Sequence, residues 1–204
     1  MKVLVTGVKG QLGFDVVNEL EKRGHTAIGV DVDTMDITNP EQVESVIKAN
    51  MPVAADQCEM VWDCSPECVL CHQSVWCGCN GEGTENIAKV CKEINAKLMY
   101  ISTDYVFNGE GERPWEPDDK VTTPLNEYGY AKYLGEQAVQ KYVKDFYIVR
   151  IAWVFGINGK NFVKTMVNLA KTHDTLNVVN DQLGNPTNAV DLAYHILKLA
   201  VSHD

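Results

Sequence analysis

Apolar positions along this chain switch between two periods, and the switching marks out strands and helices in turn. Lys2 to Thr6 is a short β-branched apolar run closed by Gly7, and Gln11 to Arg23 then carries Leu12, Val16, Val17 and Leu20 at helical spacing. Gly24 stands where a glycine ends a helix. Thr26 to Val30 is a second apolar run, ending in Asp31. Asn39-Pro40-Glu41 reads as a capping residue followed by proline at the first helical position, which opens a helix to about Asn50. Further on, the pattern predicts a helix over Thr84–Ile94, a strand over Lys97–Ser102, a helix over Glu127–Tyr142 and a strand over Phe146–Ile151. A helix over Asn161–Lys171 follows, with Phe162, Val163, Met166, Leu169 and Ala170 on one face, then a short strand over Asn177–Val179 and a last helix over Ala189–Val201.

Strands alternating with helices imply parallel pairing with right-handed crossovers, so the expected fold is a Rossmann-like, doubly wound α/β sheet. No repeat or low-complexity tract interrupts it. Gly109 to Pro124 is the longest loop expected, and loops of that length in compact domains are usually functional or mobile.

With 204 residues the chain is long enough for a sizeable core. The balance of 18 basic against 28 acidic residues gives −10, which repels phosphate backbones and anionic lipid surfaces, so no nucleic-acid partner is expected. No apolar run approaches the roughly 18 residues of a membrane span, and the apolar stretch of Met1–Gly7 is too short for a signal peptide. These observations lead to the expectation of a cytoplasmic protein with no membrane partner.

Candidate chemistry gathers at two strand ends. Gly7, Gly10 and Gly13 lie between a predicted strand and a predicted helix, in the order G-x-x-G-x-x-G. Such a loop supplies a tight turn, close backbone approach to a diphosphate and a helix N-terminus facing it. Asp31, at the tip of the second strand, is the residue that would accept hydrogen bonds from an adenosine ribose and disfavour a 2′-phosphate, which leans towards NADH. Asp36 and Ile37 either flank an adenine or belong to a surface loop before the Asn39 cap. Lys9, Lys22 and Arg23 are nearby cations that no spacing fixes on a phosphate. At the second strand end stand Ser102, Thr103, Asp104 and Tyr105, followed by Tyr128 and Lys132 on one face of the next helix. An ammonium beside a phenol favours the phenolate. Tyr128 is therefore the candidate proton donor to a carbonyl that receives hydride, with Thr103 hydrogen-bonding the same oxygen.

The stretches Val5–Gly13, Asp36-Ile37-Thr38, Gly83–Asn86, Tyr100–Phe107, Pro124–Gly129 with Lys132, Arg150–Gly156 and Asp181–Thr187 carry a family resemblance. The chain resembles the extended short-chain dehydrogenase/reductases and, within them, the dTDP-4-dehydrorhamnose reductase family. The resemblance implies NADPH- or NADH-dependent reduction of the 4-keto group of dTDP-4-dehydro-L-rhamnose, with a dTDP-sugar substrate and a homodimer as the assembly it allows. Thr103, Tyr128 and Lys132 match the family's catalytic trio. Gly10, Gln11, Leu12, Asp31, Asp36 and Ile37 match its cofactor contacts, Tyr128 and Lys132 also hold the nicotinamide ribose, and Trp153 and Asp104 match the substrate side. A different outcome is also open, a non-catalytic cofactor-binding module similar to the regulatory subunit of methionine adenosyltransferase, or an inactive fragment.

Two departures stand out. Residues 51–80 lack the apolar strand and small residues that the family shows there. Instead, eight Cys and Trp residues fall between Cys58 and Cys79. Cys64, Cys68, Cys71 and Cys77 offer soft metal ligands, although their spacing forms no paired C-x-x-C knuckles and no metal is expected. A segment read out of frame is the second reading, since Cys and Trp codons begin alike, and a native reduced-thiol segment is the third. The other departure is that the chain stops at Asp204, soon after the last predicted helix. The expectation is one NAD(P)-binding domain over residues 1–204 that lacks the C-terminal substrate portion.

Overall fold

A computed structural model describes residues 1–50, 59–63 and 77–201. The sheet is five-stranded and wholly parallel, in the order β2-β1-β3-β4-β5. Its strands are β1 (Lys2–Thr6), β2 (Thr26–Val30), β3 (Glu59–Asp63), β4 (Lys97–Thr103) and β5 (Phe146–Ile151). The helices are α1 (Gln11–Lys22), α2 (Pro40–Asn50), α3 (Thr84–Ile94), α4 (Glu127–Tyr142), α5 (Phe162–Leu169) and α6 (Ala189–Val201). A π-helical turn over Cys77–Gly83 leads into α3, and a single 3-10 turn, Asp104–Val106, follows β4. The doubly wound expectation therefore holds.

Both faces of the sheet are covered, because alternate residues of a strand point to opposite sides. Leu4, Leu98 and Tyr100 join Val43, Ile47, Ile87 and Val139 from α2, α3 and α4 in one core layer. Val3, Val5, Met99 and Ile101 join Leu12, Val16, Leu20, Leu192 and Ile196 from α1 and α6 in the other. Local signals set the helix ends. Gly24 adopts φ 76 just beyond α1, and the Asn39 side chain accepts the Glu41 and Gln42 amides at 3.1 Å each to open α2.

Three elements depart from the sequence pattern. β3 occupies the centre of the sheet, with Val5 opposite Trp62 and Met60 opposite Lys97, where the sequence pattern left open whether a strand forms. Asn177–Val179 forms no strand, because no sheet edge meets it, and Val178 and Val179 are exposed. The parallel pair that does form nearby joins β6 (Val154–Phe155) to β7 (Thr187–Asn188). α5 is shorter than expected, and Phe162, Val163 and Val167 on it are exposed. Of the four cysteines that carried the metal alternative, Cys64, Cys68 and Cys71 lie outside the described residues together with most of the Cys-rich stretch, and Cys77 opens the π-helical turn. Among the described residues no helix is long and apolar enough to cross a membrane.

Candidate active site

β1 connects to β2 on one side of the sheet and neighbours β3 on the other. The loop after β1 thus leaves at the point where strand order reverses, the place where open α/β sheets bind ligands. Gly7 takes φ 67, and its carbonyl accepts the Gly10 amide at 3.0 Å. A side chain at position 13 would put its Cβ 2.3 Å from that same carbonyl oxygen. The loop can therefore lie flat against the first turn of α1 only with glycine at 13. Gln11 and Leu12 are buried in the wall of the cleft that begins here.

Asp31 serves this loop directly. Its carboxylate accepts the Lys9 amide at 2.9 Å and the Val32 amide at 2.9 Å. The Lys9 ammonium pairs with Asp33 at 2.8 Å, which holds the Lys9 pKa above and the Asp33 pKa below their usual values. Lys22 and Arg23 turn away to Glu19, at 3.3 and 2.7 Å. Asp31, Asp36 and Ile37 border a smaller cavity beside Gly7 and Cys79. Asp36 there accepts the Thr38 amide and hydroxyl at 2.9 and 2.7 Å. Asn86 donates to the Ile37 carbonyl at 3.0 Å, and a Cβ at Gly83 would lie 2.8 Å from the Ile37 side chain. α3 thereby fixes the floor of this cavity.

The second strand end is built by β4 and α4. Thr103 is the last residue of β4; its buried hydroxyl donates to the Asp104 carboxylate at 3.0 Å and accepts the Tyr105 amide at 3.3 Å. Asn126 caps α4 by accepting the Gly129 amide at 2.7 Å. A Cβ at Gly129 would come 2.1 Å from the Tyr105 carbonyl oxygen, so glycine lets the first turn of α4 press against the 3-10 turn. That contact sets the Tyr128 ring edge-on to Tyr105, with centroids 6.1 Å apart. One turn on, the buried Lys132 ammonium donates to the Ile101 carbonyl at 3.0 Å and lies 5.0 Å over the Tyr100 ring.

A single cleft of about 750 Å³ joins the two ends, with Gly7, Gly10–Gly13 and Asp31 on one side and Thr103, Asp104, Tyr128, Lys132 and Trp153 on the other. Every sequence-derived catalytic, cofactor and substrate candidate except Asp36 and Ile37 borders it, and those two border the adjoining cavity. Trp153 is half exposed with φ 47. That conformation is a genuine outlier for a bulky residue and costs on the order of 1–3 kcal/mol. Thr187 holds it there, donating its amide to the Trp153 carbonyl at 3.2 Å and its hydroxyl to the Ala152 carbonyl at 2.7 Å.

Sequence reasoning missed the latch between the β6–α5 loop and the glycine loop. Asn158 donates to the carbonyls of Lys9 and Gly10 at 3.0 Å each, and Asn161 donates to the Gln11 side chain at 3.0 Å. The available signal was two asparagines flanking Gly159, which itself adopts φ 67. Nothing local tied them to a loop some 150 positions earlier.

A family model described as the RmlD substrate binding domain matches residues 1–204. The chain belongs to the dTDP-4-dehydrorhamnose reductase family. Among relatives, the spore coat polysaccharide biosynthesis protein SpsK of Bacillus subtilis is 38% identical over 97% of this chain and 69% of its own length. The solved dTDP-4-dehydrorhamnose reductase of Clostridium acetobutylicum is 39% identical with a TM-score of 0.87, matching 98% of this chain and 70% of that one. The Bacillus anthracis reductase, solved in complex with NADP, is 35% identical with a TM-score of 0.88, over 98% of this chain and 71% of that one. Within the family frame, the glycine loop and the Thr103–Tyr128–Lys132 group occupy opposite ends of one cleft, as a dinucleotide-dependent reductase requires.

Proposed function

We propose that this chain binds NADPH or NADH and reduces the 4-keto group of dTDP-4-dehydro-L-rhamnose to give dTDP-L-rhamnose. The observation that carries the reading is the continuity of the cleft, which sets Tyr128, Lys132 and Thr103 across from the glycine loop. The residues present fit a dinucleotide. Gly7, Gly10, Gln11, Leu12 and Gly13 form a cradle whose turn closes only without a side chain at position 13, where a Cβ would lie 2.3 Å from the Gly7 carbonyl oxygen, and the N-terminus of α1 faces it. Asp31 would take the adenosine ribose, Asp36 and Ile37 the adenine, and Tyr128 and Lys132 the nicotinamide ribose. The bound cofactor supplies hydride to the sugar C4.

The chain's own residues manage the proton and the oxygen. Tyr128 donates its phenolic proton to the developing alkoxide, so one hydride and one proton complete the alcohol. Lys132, locked on Ile101, stabilises the phenolate left behind. Thr103 turns its hydroxyl from Asp104 to the carbonyl oxygen, while Asp104 and Trp153 face the sugar. Residues 1–204 act in this reading as one NAD(P)-binding unit, in the cytoplasm and as a homodimer.

The test is titration of the protein with NADPH and NADH followed by nicotinamide fluorescence, then turnover with the keto-sugar. Saturable binding is expected. Tyr128→Phe is expected to lower kcat by at least about 100-fold with cofactor affinity nearly unchanged. Full activity in that variant would overturn the role of Tyr128, and saturable binding with no turnover of the keto-sugar would favour the regulatory reading.

A further inference from the structure

Three glycines among the seven residues Gly7–Gly13 leave that backbone more freedom than other residues would, so the shape of the loop depends on tethers. All four backbone polar groups of Lys9 and Gly10 are engaged. The Lys9 amide donates to Asp31 at 2.9 Å and the Gly10 amide to the Gly7 carbonyl at 3.0 Å. The two carbonyls accept one and the same side-chain amide, Asn158 Nδ2, at 3.0 Å each. The Gly10 carbonyl also accepts the Phe14 amide at 3.4 Å. Asn158 therefore bridges two consecutive peptide units at the point where the loop becomes α1.

The segment that carries Asn158 is itself braced. Asn161 caps α5 by accepting the Lys164 amide at 2.9 Å, and its Nδ2 donates to the Gly156 carbonyl at 2.9 Å and to the Gln11 side chain at 3.0 Å. The Lys164 ammonium donates to the carbonyls of Ile157 and Gly159. Gly159, Lys160 and Asn161 border the large cleft, whereas Asn158 is not part of its wall and gives its side-chain amide to the glycine loop.

We propose that Asn158 is a positioning residue for the dinucleotide: it holds the Lys9–Gly10 turn in its binding shape before the cofactor arrives, and so sets the affinity for the diphosphate. The inference rests on the cofactor binding proposed above. A loop ordered in advance loses little freedom on binding, and the entropy cost it avoids appears as affinity. Without Asn158 the carbonyls of Lys9 and Gly10 are freer to turn. The amides of Gly10 and Gln11 turn with them, because each lies in the same planar peptide unit as the carbonyl before it. The Gln11 amide belongs to the first residue of α1, the helix end that receives a phosphate.

The experiment titrates the parent, Asn158→Ala and Asn158→Asp with NADH and NADPH, followed by nicotinamide fluorescence, and with ADP-ribose by displacement of NADH. Asp keeps the shape of Asn and removes the donor. In Asn158→Ala all three dissociation constants should rise by a common factor, roughly 5- to 20-fold. In Asn158→Asp they should rise at least as far, since a carboxylate would face two carbonyl oxygens. The cofactor KM should rise by the same factor while kcat stays within about twofold, because the bridge acts at the opposite end of the cleft from Tyr128.

Unchanged dissociation constants would overturn the inference. So would a lower urea midpoint with the affinity of the folded protein intact, which is the outcome for a purely structural latch. A loss for NADH and NADPH that ADP-ribose does not share would also overturn it, by placing the effect at the nicotinamide. Should Asn158→Ala fail to fold, Asn158→Ser takes its place, because a serine hydroxyl is too short to bridge both carbonyls. Failure of all three variants to fold would assign Asn158 to the fold and overturn the inference as well. Failure of the proposed function shows separately, in the parent, as no saturable cofactor binding or as binding without turnover.

Discussion

The ammonium of Lys132 is fastened to the carbonyl of Ile101, 31 positions earlier, at 3.0 Å. One hydrogen bond thereby ties the helix that carries Tyr128 to the strand that ends in Thr103. The contact is buried, so it holds the cation at a fixed height beneath the cleft and leaves it little freedom to follow a ligand.

Replacing Lys132 tests that fixed height. Lys132→Met should lower turnover by about 100-fold or more and weaken cofactor binding, while the unfolding free energy from denaturant melts changes by less than about 1 kcal/mol, since Met fills the same slot without a buried charge. Lys132→Arg should not restore turnover, because the planar fork cannot enter a slot shaped for a single ammonium. Near-parent kinetics in Lys132→Arg would show that charge alone suffices.

Asp31 supports the glycine loop through the Lys9 amide and faces the cavity beside it. Asp31→Ala should weaken NADH binding by roughly 10-fold, the worth of about one charge-assisted hydrogen bond. NADPH binding should fall less, because repulsion of a 2′-phosphate is relieved at the same time. Parallel fluorescence titrations measure both. Equal losses for the two cofactors would assign Asp31 to loop support alone.

Gly13→Ala forces backbone to move, since the new Cβ would sit 2.3 Å from the Gly7 carbonyl oxygen. The expected result is loss of cofactor binding together with destabilisation of about 1–3 kcal/mol, the range for overpacking. Urea denaturation of the variant beside the parent, with a cofactor titration of each, reads both effects. Unchanged affinity would mean that the turn relaxes without reshaping the cradle.

Asp15 on α1 has a buried carboxylate oxygen that no hydrogen bond from the described residues satisfies, and burial pushes its pKa above 3.8. A raised folded-state value means that the protonated form favours folding. That contribution is fully present below about pH 3.8 and is lost as pH rises through the folded-state value. Asp15→Asn should therefore match the parent in acid and exceed it at neutral pH by on the order of 1 kcal/mol. Denaturant melts at the two pH values check the sign; a less stable variant at neutral pH would reveal a partner for the carboxylate.

The local grammar of the chain was enough to bound most elements. α3, α4, β5 and α6 run over the residues that the hydrophobic period and flanking caps predict. Capping by Asn126 and Asn39 and the left-handed Gly24 are settled within a few residues. The types and order of the candidate chemistry, Gly7 to Gly13, Asp31, Thr103, Tyr128 and Lys132, were legible for the same reason: each is a short motif at a strand end.

What only the tertiary structure decided depends on partners far away in sequence. Glu59–Asp63 is a strand because β1 and β4 flank it with hydrogen-bonding edges; five residues in a Cys- and Trp-rich stretch carry no such period of their own. Asn177–Val179, with a better local pattern, meets no edge and stays irregular. The Asn158 latch, the positive φ of Trp153 and the Glu136–Arg150 pair likewise arise where separate segments are pressed together. Helix caps and turns draw their energy from neighbours along the chain. Strand pairing, buried ion pairs and strained backbone draw it from neighbours in space, and those exist only once the chain has folded.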